Sequence, residues 1–167
     1  GGYAMSGSAS SRDLLEDARA AAARQDFARA DALYGQLLAQ GAVAARIESL
    51  RYLAMRAFRA GAADRAVDFS RQVTELEPGA SAHWLNLGVA CRGAADLPAA
   101  RAAFAEALRR DARNHTAALC IGEVLEATGD RTGAAMAYWR AIVDAQARGA
   151  WHNNDTTSPA LRPRVVH

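Results

Sequence analysis

The residues able to do chemistry are few and badly spaced for it. The four histidines, His83, His115, His152 and His167, contain no i, i+4 pair and no His-Glu-x-x-His, so no helical zinc pair is written into the chain. His152-Asn-Asn-Asp155 brings an imidazole near a carboxylate, but one residue too far apart for a His-x-Asp ligand pair, and only His167 follows to supply a second imidazole. Cys91 and Cys120 fit neither a disulfide framework nor a metal motif. The glycines are scattered rather than gathered into a phosphate-binding loop. The expectation is a chain with no catalytic residues, no metal and no cofactor. Two unpaired cysteines further suggest a reducing compartment, the cytoplasm.

Composition says what kind of scaffold holds these residues. The chain has 167 residues, 51% hydrophobic and 23% charged, so it can bury a core. It contains 43 alanines and no lysine; all 20 basic residues are arginine. Alanine, arginine and leucine favour helix, and aromatic residues are only 7%, which argues against a β-rich fold. Such a composition also goes with a GC-rich bacterial genome. A net charge of +2 with mixed signs leaves no electrostatic footprint for nucleic acid. No apolar run approaches a membrane span, and residues 1–10 have no apolar centre of the signal-peptide kind. Gly1 to Ala4, ahead of Met5, reads as a cloning remnant, and residues 1–10 as a flexible leader. At the other end, Ser158-Pro159 reads as a helix start nine residues before His167, as though a following segment were cut away.

A period of 34 organises everything between. Trp84-x-x-Leu87-Gly88-x-x-Cys91, followed by Ala100, Phe104 and Ala107, matches Ile121-Gly122 and Leu125, followed by Ala134, Tyr138 and Ala141. One period upstream stand Leu50, Leu53, Ala54 and Ala57, then Ala66, Val73 and Pro78. These blocks resemble the tetratricopeptide repeat, which places Trp-x-x-Leu-Gly-x-x-Tyr in a first helix and Ala-x-x-x-Phe in a second. Cys91 stands where the family has tyrosine, Ser70 where it has an aromatic, and Ala112 where it has proline. The resemblance implies units at 47–80, 81–114 and 115–148. A weaker one spans 11–44, carried by Leu14, Ala18, Ala30, Tyr34 and Leu37, with Ala45 and Arg46 as an insertion. Residues 149–167 then form a tail or linker. The fold expected is all-α: eight antiparallel helices in a right-handed solenoid, with an extended or capping C-terminal tail.

Packing chemistry supports that reading. Small residues at Ala54, Gly88 and Gly122 let two helices approach, and Trp84, Phe104 and Tyr138 fill the gaps beside them. One unit cannot bury both its faces, so neighbours must stack. Cys91 falls on a core slot, and His83 and His115 fall near unit boundaries, as surface or capping residues.

The resemblance implies a groove, made by the first helix of each unit, that binds a peptide or protein. Its slots hold Arg51, Tyr52, Met55 and Arg59, then Asn86, Val89 and Arg92, then Cys120 and Glu123, with Arg12 and Arg19 from the first unit. The family's clamp for a chaperone's C-terminal carboxylate needs five polar slots, which here hold Arg51, Met55, Asn86, Thr116 and Cys120. Two of the five are compatible and the second basic pair is missing, so that clamp is not expected. Arg51 and Arg59 remain candidates for an acidic group on a partner.

Two features concern the C-terminal end. The run Thr156-Thr157-Ser158-Pro159-Ala160-Leu161-Arg162-Pro163, with Trp151 and Val165, resembles the junction that follows the repeats in bacterial aspartyl/asparaginyl β-hydroxylase-like proteins. This resemblance implies an alternative, a non-catalytic repeat region ahead of an iron- and 2-oxoglutarate-dependent domain. Separately, Met136, Trp139 and Val143 stand where earlier units hold Asp68, Arg71 and Glu75, or Ala102, Ala105 and Arg109. Spaced i, i+3, i+7, they form an apolar stripe beside the inward one of Ala134, Tyr138, Ala141 and Ile142. A terminal repeat ought to present a polar face, so the stripe is expected to be covered. The tail, a second copy of the chain or a following domain could cover it.

Overall fold

The computed structural model describes residues 10–147, and within them eight helices follow one another. They are α1 (Ser11–Ala23), α2 (Phe27–Gln40), α3 (Val43–Arg59), α4 (Ala63–Leu76), α5 (Ser81–Gly93), α6 (Leu97–Arg110), α7 (His115–Ala127) and α8 (Arg131–Ala147). No strand occurs among the described residues. The substantial helix–helix contacts link elements adjacent in sequence, from α1 with α2 to α7 with α8, as in a solenoid. The expected unit end at Arg148, the tail and the β-hydroxylase-like junction lie outside the described residues.

Every first helix ends in the same way. The N–H groups of Gln25, Gly61, Ala95 and Gly129 bond the carbonyls of Ala22, Phe58, Arg92 and Glu126, three residues back. The next N–H reaches back five residues, from Asp26, Ala62, Asp96 and Asp130 to Ala21, Ala57, Cys91 and Leu125. This is the Schellman closure, which needs a left-handed residue. Gln25, Gly61, Ala95 and Gly129 supply it with φ of 61°, 74°, 59° and 86°. The residue after the left-handed one caps the following helix. Asp26 accepts from the Arg29 N–H, Asp96 from Ala99 and Asp130 from Gly133. Among the second helices of the units, α4 is the exception: it starts on an alanine, Ala62, with no side-chain cap.

Packing between the helices of a unit rests on missing side chains. A Cβ at Gly88 would run into the Phe104 ring, and one at Gly122 into the Tyr138 ring. Phe104 is fully buried and centres a core with Leu87, Cys91, Ala100, Cys120 and Val124. Trp84 is half-buried against this core, a rim residue rather than a central one, because its indole N–H reaches out to the Pro78 carbonyl at 2.9 Å. Ala45 and Arg46, expected as an insertion, lie inside α3, which runs 17 residues against 13 for α1, α5 and α7. They belong to the extra turn by which α3 exceeds those helices, and Ala45 is buried in the core shared by α1, α2 and α3.

Three placements correct the sequence reading. His83 is buried, not a surface residue, because the first turn of α5 faces α4. Its Nε2 sits 3.1 Å from a Glu77 carboxylate oxygen. Ile142, placed on the inward stripe of α8, is exposed, being rotated away from the line of Ala134 and Ala141. Arg59 stands to the side of the face that carries Arg51: eight residues turn a helix about 80° past its starting direction, whereas seven bring Phe58 back to within about 20°.

Two stability predictions follow from this packing. Gly88→Ala should destabilise the chain by about 1–3 kcal/mol, since Phe104 has no room to yield. Gly35→Ala, on an exposed helix position with nothing near its Cβ, should stabilise by up to about 1 kcal/mol. Chemical denaturation of both variants checks the pair, and equal shifts would disprove the close contact. Ala62→Asp should install the missing cap and raise stability by about 0.5–1.5 kcal/mol, whereas Ala63→Asp, one residue on, should not.

Candidate functional site

A groove of about 550 Å³ lies between α3 and α5 with α4 as its floor. It exists because of one substitution in the repeat. The slot filled by Tyr34, Phe104 and Tyr138 in the other units holds Ser70 in α4, a buried but small side chain. Ala54 stands opposite, in register with Gly88 and Gly122. The missing ring leaves a volume that Met55, Phe58 and Val89 surround with apolar surface.

The structure brings Arg51, Tyr52, Met55, Asn86 and Val89 together around this groove, five of the side chains expected there. Tyr52 is buried, and its hydroxyl donates to Asp31 at 2.7 Å, so it offers ring surface rather than a polar contact. Met55 and Phe58 are exposed. Arg59 does not line the groove. Arg92, Cys120 and Glu123 form a separate group. Arg92 pairs with Glu123, tying α5 to α7, and Cys120 is buried in the core beneath. Burial pushes the thiols of Cys91 and Cys120 up, which makes both poor nucleophiles. Arg12 pairs with Glu16, and Arg19 with Glu48.

Glu48, Phe58 and His83 line the groove without having been expected there. Glu48 and Phe58 continue the i, i+3, i+4, i+7 stripe of Arg51, Tyr52 and Met55, so helical spacing alone could have found them. His83 could not be found that way, because its inward direction depends on how α5 crosses α4. Its Nδ1 is buried with no hydrogen-bond partner among the described residues. Since an ionised Glu77 carboxylate can only accept, Nε2 carries the hydrogen toward it.

One edge of the groove is stiffened by a polar network that joins α1, α2 and α3. Tyr52 stacks on Tyr34 with ring centroids 4.2 Å apart. Arg56 bonds both oxygens of Asp31, at 3.0 and 3.2 Å, and lies 4.3 Å over the Phe27 ring. Arg19 grips Glu48 in the same two-pronged way, at 2.7 and 2.6 Å. The hydrogen bonds from Arg56 and from Arg19 hold the carboxyls of Asp31 and Glu48 below the usual range. Arg51, exposed at the rim, adds to the field on Glu48. Burial, together with the bond to Asp31, pushes the Tyr52 hydroxyl up, so it stays a donor at all ordinary pH.

Among the described residues, no group of three or more His, Cys, Asp or Glu side chains is placed to hold a metal ion. No helix there is long and apolar enough to cross a membrane. No protein-family model matches this sequence, and no curated protein does. Solved structures do match it. A crystal structure of MamA superposes with a TM-score of 0.74 at 15% identity, over 84% of this chain and 81% of that one. MamA from Desulfovibrio magneticus RS-1 gives 0.70 at 16% identity, over 83% and 77%. The Sgt2 TPR domain from Aspergillus fumigatus gives 0.52 at 20% identity, over 100% and 97%. At these identities the likeness establishes the fold, a tetratricopeptide-type helical solenoid.

The network carries an acid-side prediction. Carboxyls whose folded-state values are depressed contribute stability above their ordinary values and lose it as pH falls through the folded ones. Stability should therefore drop between about pH 5 and pH 3, and Asp31→Asn with Glu48→Gln should flatten that drop while lowering stability at neutral pH. Parallel pH profiles for the two proteins would show that the network does not couple to folding.

Proposed function

We propose that this chain is a non-catalytic interaction module that takes a short segment of a partner protein in the groove between α3 and α5. The observation that carries the reading is the volume left by Ser70. It is walled by exposed Met55 and Phe58 and by Val89, with Arg51 and Asn86 beside them. An apolar side chain fits that volume, and an acidic group next to it would meet the Arg51 guanidinium. Repeat solenoids offer such extended surfaces because their stacking curves the array. Buried thiols with raised pKa values support a role without chemistry of its own, and their unpaired state fits a cytoplasmic setting.

The groove can be plugged from within. Ser70→Tyr restores the aromatic that the first unit already carries at Tyr34, in register with an alanine, Ala18. Peptides selected by the wild-type protein from a displayed library should bind the Ser70→Tyr variant at least ~10-fold more weakly, and Arg51→Glu should select against acidic peptides. Circular dichroism should show both variants folded. Binding unaffected by Ser70→Tyr, or no peptide enriched over background, would refute the groove as the partner site.

A further inference from the structure

A second groove, of about 530 Å³, opens on the opposite flank of the last unit, between α6 and α8 over the first turns of α7. Leu108, Ala118, Ile121, Met136, Trp139 and Val143 line it. Met136 and Trp139 are 69% and 68% exposed, a large solvent-facing apolar area for two neighbouring side chains. Register explains the cavity. Ala118 stands one period after Trp84 and two after Leu50, and Leu14 holds the same slot in the first unit. Leu14 and Leu50 are buried, and Trp84 plugs the corresponding seam of its own unit while its indole N–H bonds the Pro78 carbonyl. In the last unit the plug is an alanine, and the seam stays open. Ala112 stands one period after Pro78, whose carbonyl accepts the Trp84 indole N–H.

We propose that Trp151, from the chain's own C-terminal segment, fills this seam in place of the missing indole. Three arguments favour it over other occupants. First, the vacant slot is one that an indole fills a repeat earlier, so its chemistry is matched. Second, Trp151 can reach it. Gly122 faces Tyr138, so Ala118 lies level with the Ile142–Val143 stretch of α8. The four residues after Ala147 can span about 13 Å, against the roughly 6 Å of one helical turn back to Val143. Third, a segment tethered a few residues away has an effective concentration in the millimolar range, which a second copy of the chain does not match at ordinary protein concentrations. The proposal is independent of the α3–α5 groove.

The test uses the full chain and a double-mutant cycle. Trp151→Ala should lower the thermal midpoint by roughly 3–6 °C and speed tryptic cleavage at Arg148. Ala118→Trp fills the seam from within, so in that background Trp151→Ala should change neither quantity. Ala118→Leu, which copies the residue at Leu14 and Leu50, serves the same purpose with a smaller side chain if the indole is not accommodated. Light scattering should report a monomer throughout. A midpoint indifferent to Trp151→Ala, or a loss that persists unchanged in the filled backgrounds, would overturn the proposal. A dimer that Ala118→Trp or Ala118→Leu converts to monomer would give the seam to a second copy and overturn it equally.

Discussion

The array depends on helices coming closer than a side chain allows. Phe104 lies on the Gly88 backbone and Tyr138 on the Gly122 backbone, with no room for a Cβ in either place. Each contact sets the separation of two helices, and with it how far the next unit can nest. Alanine serves the same purpose at the inner positions of the second helices: Ala30, Ala66, Ala100 and Ala134 are all buried. So alanine-rich a chain can build a stable core because its stability comes from proximity of backbones as much as from large side chains.

That economy makes the position of each large residue consequential. Where the repeat drops a ring, at Ser70, it opens the groove between α3 and α5; where it drops an indole, at Ala118, it opens the seam beside α8. Both cavities are departures from the repeat's own pattern, so a scaffold of near-identical units acquires distinct surfaces by omission. The first unit departs the other way. It matches the repeat least in sequence, and its docking relies on specific polar and aromatic contacts, the Tyr34–Tyr52 stack with the Arg56–Asp31 and Arg19–Glu48 pairs.

Period 34 made the helices and their pairing legible, because small and large residues at fixed offsets leave few ways to stack. Five of the side chains around the α3–α5 groove were legible for the same reason. The misses have distinct causes. Arg59 for Phe58 is an error of helical phase over two turns, and Ile142 is an error of about one position at the edge of a face. His83 needed the crossing of α5 over α4, which no single helix encodes. The network on α1–α3 was invisible because Asp31, Glu48 and Arg56 are ordinary surface residues until three helices bring them together. The four Schellman turns were only partly legible: Gly61 and Gly129 announce a left-handed residue, whereas Gln25 and Ala95 adopt it with no residue type to signal it.

Contacts that run mainly from each helix to its sequence neighbours have a kinetic consequence. Loop closure over short segments costs little entropy, so any adjacent pair of units can nucleate and the rest can zip onto it. Opening then proceeds from the ends, since a terminal unit has one neighbour to lose and an internal unit has two. Amide exchange should accordingly be slowest in α5 and α6 and quicken toward both ends, a gradient rather than a single rate. A partner bridging α3 and α5 would clasp units two and three together, so its binding would slow the opening of helices it never touches.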